Sequence, residues 1–165
     1  MPTAPVDDKG TEIFFTDSGV PAGSKDYTTL VIIHGGAFNG NVFQKLIPDS
    51  PSNNVRLVVL NRREYSGSSK YTDAEIDDLV SGRKSFFEQL ALEVTHFLLW
   101  FVQTYNIPRI SNNGKSGGLA IMGWSIGSIT SLAVLGQPEV IPEASYRTLE
   151  HYLREMILFG PNCKF

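Results

Sequence analysis

Two apolar runs constrain the fold of this chain more than any other feature. Thr28–Ile33 reads Thr-Thr-Leu-Val-Ile-Ile, and Val55–Leu60 reads Val-Arg-Leu-Val-Val-Leu. Neither run alternates apolar with polar residues along its length. Each therefore predicts a strand buried on both faces, as strands of a parallel sheet are. Thr11–Thr16, Leu119–Gly123 and Met156–Phe159 are three further strand candidates. Between the strands lie segments of helical spacing. In the longest, Lys84–Tyr105, the residues Phe87, Leu90, Val94, Phe97, Phe101 and Tyr105 recur three or four apart, and Pro108 bars continuation. A short acidic helix begins near Thr72 or Asp73. Another follows the turn Trp124–Ile126, and a third covers Glu143–Arg154. Asn41, with Gln44 three residues on, predicts the start of a short helix running to about Ile47. Strands alternating with helices give an α/β fold, a mostly parallel sheet with helices on both faces. Residues 1–10 read as a flexible tail and residues 11–165 as a single domain, which suits a chain of 165 residues.

Composition narrows the function. Hydrophobic residues make up 42% and charged residues 19%, enough apolar material for a buried core. Fourteen basic residues against 17 acidic ones leave a formal charge of −3, which argues against a general nucleic-acid binder. The lone Cys163 excludes an internal disulfide and a multi-cysteine metal site, and His34, His96 and His151 are too scattered for a familiar zinc pattern. No metal or other cofactor is implied. The longest apolar run, Phe97–Val102, falls far short of the roughly 20 residues that a membrane span needs. Met1–Gly10 is polar where a secretory signal would be apolar, so a cytoplasmic location is expected.

Gly123-Trp124-Ser125-Ile126-Gly127 fits the pattern G-x-S-x-G, with an apolar strand entering it and a helix leaving it. A tight turn there exposes the serine hydroxyl, and the flanking Gly123 and Gly127 give the backbone room. Ser125 is the candidate nucleophile. The N–H of Ile126, at the helix start, can meet negative charge developing on a substrate oxygen. His34-Gly35-Gly36-Ala37-Phe38 follows a second buried strand, and an N–H of Gly36 or Ala37 is the candidate second donor of an oxyanion hole. Gly114-Lys115-Ser116 has the ending of a phosphate-binding loop, but Arg109 stands where that motif needs glycine and the segment precedes a strand.

With these blocks the chain resembles the N-terminal half of an α/β-hydrolase-fold protein, of the family that holds esterases, lipases and epoxide-hydrolase-like enzymes. A third block is similar to the family's D-x-R-G-x-G-x-S segment. In Asn61-Arg62-Arg63-Glu64-Tyr65-Ser66-Gly67-Ser68, the residues Arg63, Tyr65 and Ser68 are in register, while Asn61, Glu64 and Ser66 replace Asp, Gly and Gly. Serine rather than aspartate at the elbow implies acyl transfer on a small ester or related substrate. The family's acid and histidine lie on loops after later strands. Only 40 residues follow Ser125 (165 − 125), with no Asp and the single histidine His151. His151 reads as a solvated helix residue and His96 as a packed helix residue, while the resemblance gives His34 a loop-shaping role. The expectation is a serine hydrolase whose triad is incomplete in this chain. The alternative is a non-catalytic, truncated protein acting as an interaction module or surviving as a gene fragment. For this alternative, an apolar edge strand near Ile157 predicts self-association or poor solubility.

Overall fold

The computed structural model describes residues 2–160, so Cys163 lies outside the described residues. Six strands form one sheet: β1 (Thr3–Pro5), β2 (Glu12–Asp17), β3 (Thr28–Ile33), β4 (Val55–Leu60), β5 (Leu119–Trp124) and β6 (Leu153–Phe159). Their order is β1-β2-β4-β3-β5-β6. β4, β3, β5 and β6 run parallel, while β2 joins β4 antiparallel and β1 joins β2 antiparallel. Four helices follow in the chain: α1 (Asp73–Val80), α2 (Lys84–Tyr105), α3 (Gly127–Gly136) and α4 (Glu143–Glu150).

The two apolar runs are the central strands, as their composition predicts. Val31, Ile33, Val58, Leu60, Leu119 and Ile121 turn one face of the sheet toward α2, α3 and α4, where Phe97, Phe101, Val134 and Leu149 meet them. Ile32, Leu57 and Val59 turn the other face toward a 3-10 helix, Gly40–Leu46, which contributes Phe43. Phe15 of β2 is fully buried and meets Phe97, Trp100, Phe101 and Tyr105 edge-on at 5.6–6.4 Å between ring centroids. Beside this cluster, Asp17 takes two hydrogen bonds from Arg56, at 2.9 and 2.5 Å. The Arg56 guanidinium also lies over the rings of Phe101 and Tyr105 at 4.8 and 4.5 Å, so its charge is paired and its flat face covered.

The structure corrects three details. Residues 1–10 are not simply a tail, because Thr3–Pro5 pair with Glu12–Phe14 and both Ala4 and Val6 are buried. The strand is too short and its apolar residues too small to give a pattern in the sequence. The short helix after β3 is capped by Asn39, whose side chain accepts from the N–H of Asn41, and it is 3-10 rather than α. The helix expected over Glu143–Arg154 stops at Glu150, since Leu153 already pairs with Leu119 in the sheet.

The register places the loops. Ile33 pairs with Leu60 on one side and with Gly123 on the other, so β3, β4 and β5 end at one level. Between β3 and β5 the winding of the sheet reverses, which opens a crevice at the carboxyl ends of those strands. Replacing Phe15 with alanine removes the ring at the centre of the aromatic cluster. We expect a loss of about 3–5 kcal/mol, read from urea unfolding followed by tryptophan fluorescence.

Candidate active site

The chain leaves β5 through Trp124 and enters α3 at Gly127, with Ser125 between them at φ +54°. A serine in this left-handed region carries on the order of 1–3 kcal/mol of backbone strain, so its surroundings must hold it there. They do so by close approach. A Cβ on Gly123 would come within 2.6 Å of the Cα and the hydroxyl oxygen of Ser128 and Ser131, respectively. A Cβ on Gly127 would come within 2.4 Å of the Ile33 carbonyl oxygen and 2.5 Å of the His34 carbonyl oxygen. Only glycine lets α3 begin this close to the ends of β3 and β5. Ser128 donates its hydroxyl to the Gly123 carbonyl at 3.0 Å, and the Ser125 N–H donates to the carbonyl of Phe159 at 3.0 Å. β6 therefore braces the turn from its far side.

The loop after β3 lies against this turn. A Cβ on Gly35 would stand 3.1 Å from the Ser125 Cβ, and one on Gly36 would stand 3.5 Å from Cγ2 of Ile126. Gly36, Ala37 and Ile126 are exposed. Among the described residues none of these three donates its N–H to another backbone group. Of the residues singled out in the sequence, the fold thus brings Ser125, Ile126, Gly35, Gly36, Gly123 and Gly127 into one cluster, with Ala37 next along the same loop.

His34 is fully buried and has no nitrogen to spare. Its Nδ1–H donates to the Gly35 carbonyl at 2.8 Å, and Nε2 accepts the Arg62 N–H at 3.0 Å. This pair of bonds selects the neutral Nδ1–H tautomer. Burial pushes its pKa below the usual 6.5 and the Arg62 charge acts the same way, while the Gly35 carbonyl opposes them. The other histidines lie away from the turn. His96 Nδ1 bonds the Val6 carbonyl at 2.6 Å. His151 closes α4 just before β6 begins, whereas Ser125 follows the end of β5. Because β5 and β6 are parallel, the two residues sit at opposite ends of the sheet, separated by a six-residue strand, about 20 Å. No cluster of three or more metal-ligating His, Cys, Asp or Glu side chains occurs among the described residues.

The loop after β4 completes the surroundings and was only partly visible in the sequence. Asn61 accepts the Gly40 N–H at 2.9 Å and donates its amide to the Ser66 carbonyl at 2.8 Å. Ser68 donates to the Asn61 carbonyl at 2.6 Å, and Glu64 adopts φ +72° at the place where the family pattern has glycine. Arg63 is buried between Glu75 (2.7 Å) and Glu93 (2.9 Å), and its guanidinium lies 4.2 Å over the ring of Tyr71. This clamp was not visible in the sequence as a unit. Thr72-x-x-Glu75, an N-capping box that the structure realises, was the available signal for one of its members.

Burial pushes the Glu75 carboxyl up, but hydrogen bonds from Arg63, Thr72 and Gln89 outweigh it and hold the group at about 2. Burial raises Glu93, against the opposing pull of Gln89 and Arg63. Since the folded value of Glu75 lies below its ordinary 4.5, its contribution to stability is complete above about pH 4.5. That contribution disappears as the pH falls from there toward 2. Glu75→Gln should lower stability at neutral pH and flatten the decline between pH 4.5 and 2, measured by thermal unfolding across that range.

The fold has many solved counterparts. An esterase from Exiguobacterium antarcticum superposes with a TM-score of 0.61 at 16% identity, covering 99% of this chain and 46% of the esterase. A bromoperoxidase from Bacillus anthracis gives 0.59 at 12% identity, covering 97% and 44%. A carboxylesterase of the thaumarchaeon Nitrososphaera gargenis gives 0.55 at 17% identity, covering 99% and 46%. Neither protein-family models nor curated protein sequences give a match. The strand order, the turn at Ser125 and these superpositions agree: the chain has the α/β-hydrolase fold, over about half the length of the structures it matches.

Proposed function

We propose that this chain carries the nucleophile and the oxyanion-binding half of a serine hydrolase acting on an ester or related acyl substrate. One observation carries the reading: Ser125 is held at φ +54° between a strand and a helix, with the Gly35–Gly36 loop packed against it. Strain of this kind persists where the surroundings over-determine it, and it concentrates at sites of function. In the proposed reaction the Ser125 hydroxyl attacks the acyl carbon and gives its proton to a base, and the leaving group takes a proton and departs as the tetrahedral intermediate collapses. The carbonyl oxygen becomes an oxyanion and accepts the N–H of Ile126 together with that of Gly36 or Ala37. The α3 N-terminus adds its positive end to the same spot.

The base is the missing part. His34 has both nitrogens engaged, His96 is bonded to Val6 and His151 sits at the other end of the sheet. A serine hydroxyl is a weak nucleophile without a base. The chain spans about half the length of its structural counterparts, and in the proposed reaction the acid and base come from outside the described residues. Among the described residues no helix is long and apolar enough to cross a membrane. The proposed substrate is a small acyl compound and the proposed site of action the cytoplasm.

A second reading, a non-catalytic interaction module, rests on β6. This strand pairs on one side only among the described residues, and Ile157, Leu158 and Phe159 are 39%, 39% and 59% exposed. An apolar strand at a sheet edge is a template for another chain.

Labelling with a fluorophosphonate separates the readings. We expect modification at Ser125, absent from Ser125→Ala, at a rate about 10⁴-fold or more below that of a serine hydrolase with its base. Labelling that survives in Ser125→Ala would refute the hydrolase reading. For the edge strand, light scattering of the purified chain should give a mass that grows with concentration. A monomer at high concentration speaks against self-association through β6.

A further inference from the structure

The loop that supplies the second oxyanion donor is intrinsically free to turn. Gly35 and Gly36 are consecutive glycines, and Gly36 and Ala37 are exposed. Each peptide between them can rotate as a plane, because two glycines impose little φ preference. In a trans peptide the C=O and the N–H of one plane point in opposite directions. Whatever holds a carbonyl in this loop therefore also decides where the next residue's N–H points.

Both carbonyls are held. The Gly35 carbonyl accepts His34 Nδ1–H at 2.8 Å and Arg62 Nη1 at 3.4 Å. The Gly36 carbonyl accepts the hydroxyl of Tyr65. The Tyr65 ring is itself fixed, standing edge-on to the buried His34 ring at 4.3 Å between centroids and 75° between planes. Its backbone follows the left-handed Glu64, and its N–H bonds the Arg62 carbonyl at 3.1 Å. The same loop lies beside the turn: a Cβ added at Gly35 would stand 3.1 Å from the Ser125 Cβ, and one added at Gly36 would stand 3.5 Å from Cγ2 of Ile126.

We infer that Tyr65 is a positioning residue: by holding the Gly36 carbonyl it turns the Gly36–Ala37 peptide so that the Ala37 N–H serves as the second oxyanion donor. This inference rests on the acyl-transfer reading of Ser125 and goes beyond it. Of the two donors left open, it selects Ala37 as the one under tyrosine control. The contacts of the Tyr65 side chain are to the Gly36 carbonyl and the His34 ring. Its effect is on the direction of one amide.

Tyr65→Phe removes the hydroxyl and keeps the ring against His34, so the test compares it with the wild-type chain. The ¹³C resonance of the Gly36 carbonyl and the amide resonance of Ala37 should both move, with no change in melting temperature beyond a few degrees. Fluorophosphonate labelling of Ser125 should slow by about tenfold, less than the loss expected on deleting an oxyanion donor outright. Unmoved Gly36 and Ala37 resonances overturn the inference whatever the labelling rate. Shifted resonances with an unchanged labelling rate overturn the link to the oxyanion donor. If the wild-type chain is not labelled at all, the hydrolase reading fails and the resonances alone decide whether Tyr65 sets the peptide.

Discussion

The contact between Gly127 and the end of β3 governs the upper part of this structure. A single added carbon at Gly127 would collide with two backbone carbonyl oxygens, that of Ile33 at the end of β3 and that of His34 next to it. Because the position is glycine, α3 can start directly above the crevice between β3 and β5. Because α3 starts there, the chain has no room for a relaxed turn, and Ser125 is driven into the left-handed region. Gly123 repeats the constraint from the strand side. The strain at Ser125 is thus held by the packing of a helix onto a sheet, which is among the stiffest arrangements a small domain has.

Around that contact, the loops after β3 and β4 are tied to each other rather than to solvent. His34 joins them through one bond to each loop. Asn61 joins them by accepting the Gly40 N–H, and Tyr65 by donating to the Gly36 carbonyl. Asn61 also explains a departure from the family pattern. Its side chain accepts from Gly40 and donates to the Ser66 carbonyl, and an ionised aspartate could do only the first. Behind these loops, buried Arg63 balances two carboxylates. The one nearer to solvent, Glu75, stays ionised well below the usual range, while burial favours the neutral form of Glu93.

On the other flank the architecture is open. β6 braces the turn through the bond from Ser125 N–H to Phe159, yet its outer edge and much of its apolar surface are exposed. The same strand therefore supports the site and borders surface that would be costly to leave in water. The chain has the α/β-hydrolase fold over about half the length of its structural counterparts, and among the described residues β6 is the strand at that edge of the sheet.

Much of this was legible in the sequence because it depends on short-range pattern. The unbroken apolar runs at Thr28–Ile33 and Val55–Leu60 identify central parallel strands, since only a strand covered on both faces tolerates them. The spacing along Lys84–Tyr105 marks α2, and the glycines around Ser125 announce a close approach before any neighbour is known. Tertiary structure decided what depends on residues far apart in the chain. The register of Ile33 with both Leu60 and Gly123 brings three loops to one level. The parallel pairing of β5 with β6 sends His151 to the end of the sheet opposite Ser125. The hydrogen bond from Tyr65 to Gly36 spans 29 positions. Strand pairing and loop contacts of this kind are set by the whole sheet, and no local periodicity encodes them.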